Sequence, residues 1–177
     1  MKDMKTELNN FIVPIKKKCK AMYLNLFHNS MIDMQNDEHT KLDIYSKIKT
    51  TYIYEPYLNI HPHNKILTRY RLSDHYLPIE RGRYTKPKTP RSERICPFCQ
   101  SGLGNEIHVM FQCESPIIRN INDKYMNVIM RTSRQINTLS DEGKLYYILK
   151  ASDTDITPVT GKWLNELNDI FKNKLKK

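Results

Sequence analysis

The 177-residue sequence has no long apolar run: its longest are four or five residues, such as residues 11–15. A bilayer-spanning helix needs about 20, so no such helix is expected. The amino-terminal stretch MKDMKTELNN has basic residues but no apolar segment behind them, so the layout of a secretory signal is missing. The expected location is nuclear or cytoplasmic rather than secreted, in a compartment where thiols stay reduced. The chain also lacks any adjacent Asp-Asp pair. Polymerase and nuclease chemistry gathers carboxylates around two magnesium ions about 4 Å apart, and Asp123, Asp141, Glu142, Asp153 and Asp155 are dispersed in a way that helix caps and solvated loops explain. No catalytic residue is expected, and the chain reads as a non-enzyme. An internal repeat of the usual period is missing as well.

What is present is positive charge. Charged residues make up 27% and hydrophobic residues 39%, ordinary for a globular chain, but the net charge is +10 and the isoelectric point is about 9.4. A strongly basic surface attracts polyanions such as nucleic acid, although scattered, solvated lysines give the same total. The charge is densest over residues 81–94, RGRYTKPKTPRSER, where Glu93 is the one acidic residue and Pro87 and Pro90 interrupt. That composition predicts an extended, solvated linker.

Apolar spacing predicts a mostly α chain, a small helical domain with an embedded single-zinc knuckle. A helix is expected after Pro14 within residues 6–34, carrying Met22 and Leu26, with Lys16, Lys17 and Lys18 as a solvated face and Cys19 as an inert thiol. Thr40 precedes a short helix over 41–49. Residues 50–60 have strand propensity that Glu55 and Pro56 interrupt, and His61 and His63 belong to a surface turn. A helix capped by Asn64 should bury Ile66, Leu67 and Tyr70 and leave Lys65 and Arg69 wet. Beyond the cysteines, residues 116–130 read as a helix opened by Pro116, with Ile117, Ile121, Tyr125 and Val128 on its apolar stripe. Ser140 opens another with Leu145, Ile148 and Leu149 inside. The last helix should start near Thr160 and bury Leu164, Leu167, Ile170, Phe171 and Leu175. Three regions follow: 1–63, an amino-terminal helical region; 64–120, basic helix, linker and zinc module; and 121–177, carboxy-terminal helices.

Three of the four cysteines and one of the six histidines lie in residues 95–113, ICPFCQSGLGNEIHVMFQC. Cys96, Cys99, His108 and Cys113 follow the pattern C-x2-C-x8-H-x4-C. A C-x2-C turn points both sulfurs at one ion, Gly102 and Gly104 allow the chain to return, and a short helical turn over 106–112 would present His108 with Cys113 at its end. Thiolates and imidazole select zinc over magnesium or calcium. Four protein ligands leave no open position for a reactive water, so the metal would be structural. Arg91 and Arg94 would help keep the thiolates ionised. The competing readings are a disulfide with one thiol left over, unligated core thiols, or a redox pair; an odd thiol count and the absence of an alternating βαβ pattern argue against the first and the last.

The runs SKIKTTYIYEPYL, LTRYRLSDHYLPIERGRYTKPKTPRSERICPFC and EIHVMFQC, with Arg119 after them, resemble the carboxy-terminal region of reverse-transcriptase-like proteins of non-LTR retrotransposons, which ends in the reverse-transcriptase zinc-binding CCHC motif. The similarity covers residues 46–120. It departs at Gln100, where a small residue is usual, at the single Glu106 before the histidine, and at Val109 after it. The resemblance implies zinc on Cys96, Cys99, His108 and Cys113, a role in binding RNA or DNA, and an upstream reverse-transcriptase domain or other protein as partner. The residues expected to meet nucleic acid are Lys65, Arg69, Arg71, Arg81, Arg83, Tyr84, Lys86, Lys88, Arg91 and Arg94, with Tyr70, Tyr76, Tyr84 and Phe98 offering rings for stacking. The alternative is a structural or protein-interaction module stapled by zinc, without nucleic-acid binding.

Overall fold

The computed structural model describes residues 18, 22, 25, 29, 42–49, 55–59, 62–150 and 155–175. The chain divides into two compact units, Met1–Ile53 and Tyr54–Lys177. It is mostly helical, as its periodicity predicts. Among the described residues there is no β-strand, only an antiparallel bridge between Ile95 and Leu103.

In the first unit, Lys18, Met22, Asn25 and Asn29 are helical and exposed, whereas Cys19 and Thr40 lie outside the described residues. Helix α1, Asp43–Ile48, buries Ile44 and Ile48. Asp43 at its first turn pairs with Lys47 at 3.3 Å, the i,i+4 order that the helix dipole favours.

The second unit opens with a 3-10 turn, Pro56–Asn59, so the strand propensity of this stretch does not extend past Glu55. Helix α2, Asn64–Arg71, buries Ile66, Leu67 and Tyr70 on the face their spacing predicts. It ends at Ser73, whose φ of 50° is left-handed, with Asp74 N–H donating to the Arg69 carbonyl at 2.7 Å. This closes the last turn in the Schellman manner. Two departures mark this helix. His63 is buried against the helix that carries Gly161 rather than sitting on a surface turn, and a Cβ at Gly161 would collide with its ring. Arg71 is 2% exposed, and its guanidinium donates to the Leu149 and Lys150 carbonyls at 2.7 and 3.1 Å while pairing with Glu55. Those carbonyls end α5, Asp141–Lys150, so Arg71 caps a helix terminus whose dipole favours a cation.

Helix α3, Pro78–Arg81, starts on a proline, as does α4, Pro116–Thr132. Helix α5 starts as its sequence predicts, with the Gly143 N–H donating to Ser140 Oγ at 3.1 Å, and it buries Leu145, Ile148 and Leu149. Helix α6, Thr157–Lys174, begins three residues before Thr160. Pro158 sits in its first turn, where its missing N–H costs nothing. Trp163, Leu164, Leu167 and Phe171 of α6 are fully buried, and α6 packs against α4 and α2. Ile170 is only half-buried and Leu175 is exposed. Helix α4 contributes Ile118, Ile121 and Ile129, whereas Ile117 and Val128, expected inside, are 55% and 44% exposed. The buried face of α4 is therefore rotated from the predicted stripe.

Candidate metal centre

The cysteine segment is built from backbone turns. The Gln100 N–H donates to the Cys96 carbonyl at 3.0 Å and the Cys96 N–H to the Gly102 carbonyl at 2.8 Å, which folds the C-x2-C turn back on itself. Gln100 holds a left-handed φ of 57°, where L-residues with a Cβ are strained. The return strand crosses Gly102, where a Cβ would stand 2.7 Å from His108 Nδ1. Only glycine leaves room for the imidazole. Asn105 then caps the turn that carries the histidine, its Oδ1 accepting the His108 N–H at 2.8 Å. Residues His108–Gln112 form a π-helical turn, wider than an α-turn, and Cys113 follows it in extended backbone.

This arrangement brings together the four residues that the spacing singles out. The sulfurs of Cys96, Cys99 and Cys113 and a ring nitrogen of His108 all lie within 4.8 Å of one another. Cys96 Sγ is 3.8 Å from Cys113 Sγ, and Cys99 Sγ is 3.1 Å from His108 Nε2. With zinc–sulfur bonds of about 2.3 Å, the edge of a tetrahedron is about 3.8 Å. The cluster could hold a metal ion in that geometry. The three cysteines are free thiols, so the disulfide reading of the C-x2-C pair fails.

The thiols are held unequally. Burial works to raise the Cys99 thiol, but hydrogen bonds from the Ser101 side chain and backbone, together with His108, outweigh it and bring its pKa to about 6. Burial raises Cys96. At Cys113, burial and the neighbouring sulfurs together push the thiol up to about 12 against the Ser115 backbone N–H. One thiolate is therefore comfortable here without a cation and the other two are not. A divalent ion would let all three ionise.

No family model matches the chain, and no curated protein or solved structure matches it.

Around the cluster stand groups that sequence patterning does not reveal. The Trp163 indole N–H donates to Asn122 Oδ1 at 3.0 Å, and Asn122 Nδ2 donates to the Val109 carbonyl at 2.8 Å, so a buried relay ties the histidine turn to α4 and α6. Phe111 meets Trp163 edge-on with ring centroids 6.1 Å apart, and Phe98 of the knuckle meets Phe171 at 4.9 Å. His75 accepts the Leu77 N–H on Nδ1 at 3.3 Å, which leaves Nε2 carrying the proton toward Glu106 Oε1 at 2.7 Å. Burial works to raise the Glu106 carboxyl, but His75 holds it below the ordinary range.

The basic segment after α3 is solvated but not extended. The Thr89 N–H donates to the Gly82 carbonyl at 3.0 Å and to Thr85 Oγ1 at 2.8 Å, closing a loop. Arg94 clasps it, donating to the Ile79 carbonyl at 2.7 Å and the Thr89 carbonyl at 3.0 Å, with its aliphatic stem packed where a Cβ on Gly82 would stand. Arg94 is thus engaged by the loop backbone rather than directed at the sulfurs. The loop joins the knuckle through Gly104, whose N–H donates to the Arg94 carbonyl at 2.8 Å and whose carbonyl accepts the Ile79 N–H at 3.1 Å.

The ten residues expected to meet nucleic acid divide accordingly. Lys65, Arg81, Tyr84, Lys86, Lys88 and Arg91 are exposed. Arg69 and Arg83 are half-buried, with Arg83 Nε donating to Glu80 Oε1 at 3.1 Å. Arg71 is withdrawn into the core and cannot reach a phosphate. Of the rings, Tyr70 is fully buried, which removes it as a stacking platform, and Phe98 is half-buried.

Proposed function

We propose that Cys96, Cys99, His108 and Cys113 hold zinc and that the chain is a retroelement-derived, non-catalytic module that binds RNA or DNA. The observation that supports this reading is the attachment of the basic loop to the knuckle. The bridge between Ile95 and Leu103 and the bonds through Gly104 root the loop on the metal turn, and its Lys86, Lys88 and Arg91 stay exposed. Zinc supplies a rigid base by joining four side chains, with no coordination position left for a reacting water. The cations, presented together with Arg81, neutralise phosphates. The resemblance of residues 46–120 to the retrotransposon module agrees with both parts.

Elemental analysis of the purified chain should give one zinc per chain, lost in Cys99→Ser; unchanged metal in that variant would reject the ligand set. Labelled RNA and DNA titrated at several salt concentrations should show log affinity falling with log salt at a slope of about minus 3, as four phosphate contacts to a single strand require. Absence of binding at low salt with zinc present would reject the nucleic-acid reading. In that event the exposed Ile117 and Val128 of α4 favour a zinc-stapled protein-interaction module, which concentration-dependent association in sedimentation would reveal.

A further inference from the structure

A cleft of 330 Å³ opens where the basic loop approaches the end of α6, lined by Tyr76, Arg81, Tyr84, Thr85, Lys172 and Leu175. Its volume is at the low end for ligand sites, which run to about 300–1,000 Å³, and suits one nucleotide rather than a folded element. Its chemistry is one-sided: two aromatic rings, two cations and no carboxylate. The Arg81 guanidinium lies over both rings, 4.9 Å from the Tyr76 centroid and 5.8 Å from that of Tyr84. Lys172 Nζ, from the far side of the sequence, stands 5.6 Å from Tyr76. Tyr84 is nevertheless 56% exposed, a large aromatic face left open to solvent beside two positive charges.

We propose that this cleft is a stacking site for one unpaired base of a single-stranded nucleic acid, with Tyr76 and Tyr84 taking the base and Arg81 and Lys172 taking its phosphates. The proposal rests on the nucleic-acid reading above and deepens it by giving the unpaired base of a single strand a seat of its own. A base presents a π-face that can take the place of the guanidinium over the rings, and Arg81, on a flexible stem, can then pair with a phosphate oxygen. Tyr84 and Thr85 belong to the same loop as Lys86 and Lys88, so a strand seated in the cleft continues onto further cations. A duplex keeps its bases stacked on one another and offers the cleft only backbone.

The test uses the full, zinc-loaded chain and three labelled probes of equal length: a single strand with bases, an abasic single strand of the same charge, and a duplex, which should show no gain from its bases. In anisotropy titrations the base-bearing strand should bind about tenfold tighter than the abasic one, the range expected for loss of a stacked base. Tyr84→Ala should close that gap; the side chain is exposed, and an unchanged circular dichroism spectrum checks that the variant folds. Lys86→Ala should weaken both strands together. Equal binding of the two strands by the wild type, or a gap that survives Tyr84→Ala, overturns the cleft while leaving phosphate binding intact. Binding of none of the probes overturns the nucleic-acid reading itself, and the cleft with it.

Discussion

Two residues in the knuckle carry opposite expectations. Gln100 occupies a left-handed backbone conformation that costs a residue with a Cβ about 1–2 kcal/mol, while glycine there would give back about 0.5–1 kcal/mol in unfolded-state entropy. Gln100→Gly should therefore stabilise the zinc-loaded chain by up to about 1 kcal/mol, seen as a melting temperature about 2–4 °C higher for a chain of this size. A lower melting temperature would show that the glutamine side chain itself holds the turn. Gly102 is the reverse case. Its hydrogen faces the imidazole, and a Cβ would stand 2.7 Å from Nδ1 and 2.8 Å from Cε1 of His108. Gly102→Ala must displace the His108 ring, and on the proposed zinc assignment groups that orient ligands are worth about 10- to 100-fold in metal affinity. Competition against a colorimetric zinc chelator should show that loss; an unchanged affinity would mean that His108 is not fixed by this contact.

At the scale of elements, the metal turn is joined to the helices through polar groups as well as apolar ones. Val109 and Met110 are buried and would hold the turn 108–112 by area alone, but area does not fix its rotation. Asn122 does, because it pairs with the Val109 carbonyl on one side and the Trp163 indole on the other. Asn122→Ala strands a buried acceptor and a buried donor, each costing about 1–3 kcal/mol, for a total of about 2–6 kcal/mol. The urea midpoint of the zinc-loaded protein should fall accordingly, with the denaturant slope unchanged. A change under about 1 kcal/mol would show that water reaches both groups. Arg71 makes the same kind of connection between α2 and the end of α5.

For the whole molecule, what could be read from the sequence is what repeats locally or carries a fixed spacing. Helix α2 follows from periodicity, although Asn64 is its first residue and not its cap; α5 follows from periodicity and its Ser140 cap, α4 from its proline start, and the Cys/His cluster from ligand spacing alone. Contacts between distant segments could not be read. Arg71 lies on the buried side of α2, one turn after Leu67, yet its carbonyl partners are 78 and 79 residues away, so a charge that looks solvated is a buried cap. The proline-rich loop closes through Thr85, Thr89 and Arg94, none of which has a local pattern. This division predicts how the unit responds to chelation. The helical core is held by Trp163, Leu164, Leu167, Ile118 and Ile148, which need no metal, whereas the knuckle has little apolar interior besides its sulfurs. Structural zinc supplies on the order of 10 kcal/mol to such segments. Chelation should thus remove hydrogen-exchange protection from the Ile79, Cys96 and Gly104 amides, whose acceptors lie across the knuckle, while amides in 163–171 stay protected. The boundary should fall at 108–112, which Asn122 and Trp163 retain. On the proposed function, loss of nucleic-acid binding should accompany the local opening, since the loop then has no fixed base. Global unfolding on chelation, with protection lost in α6 as well, would instead make the metal part of the one core that all these helices share.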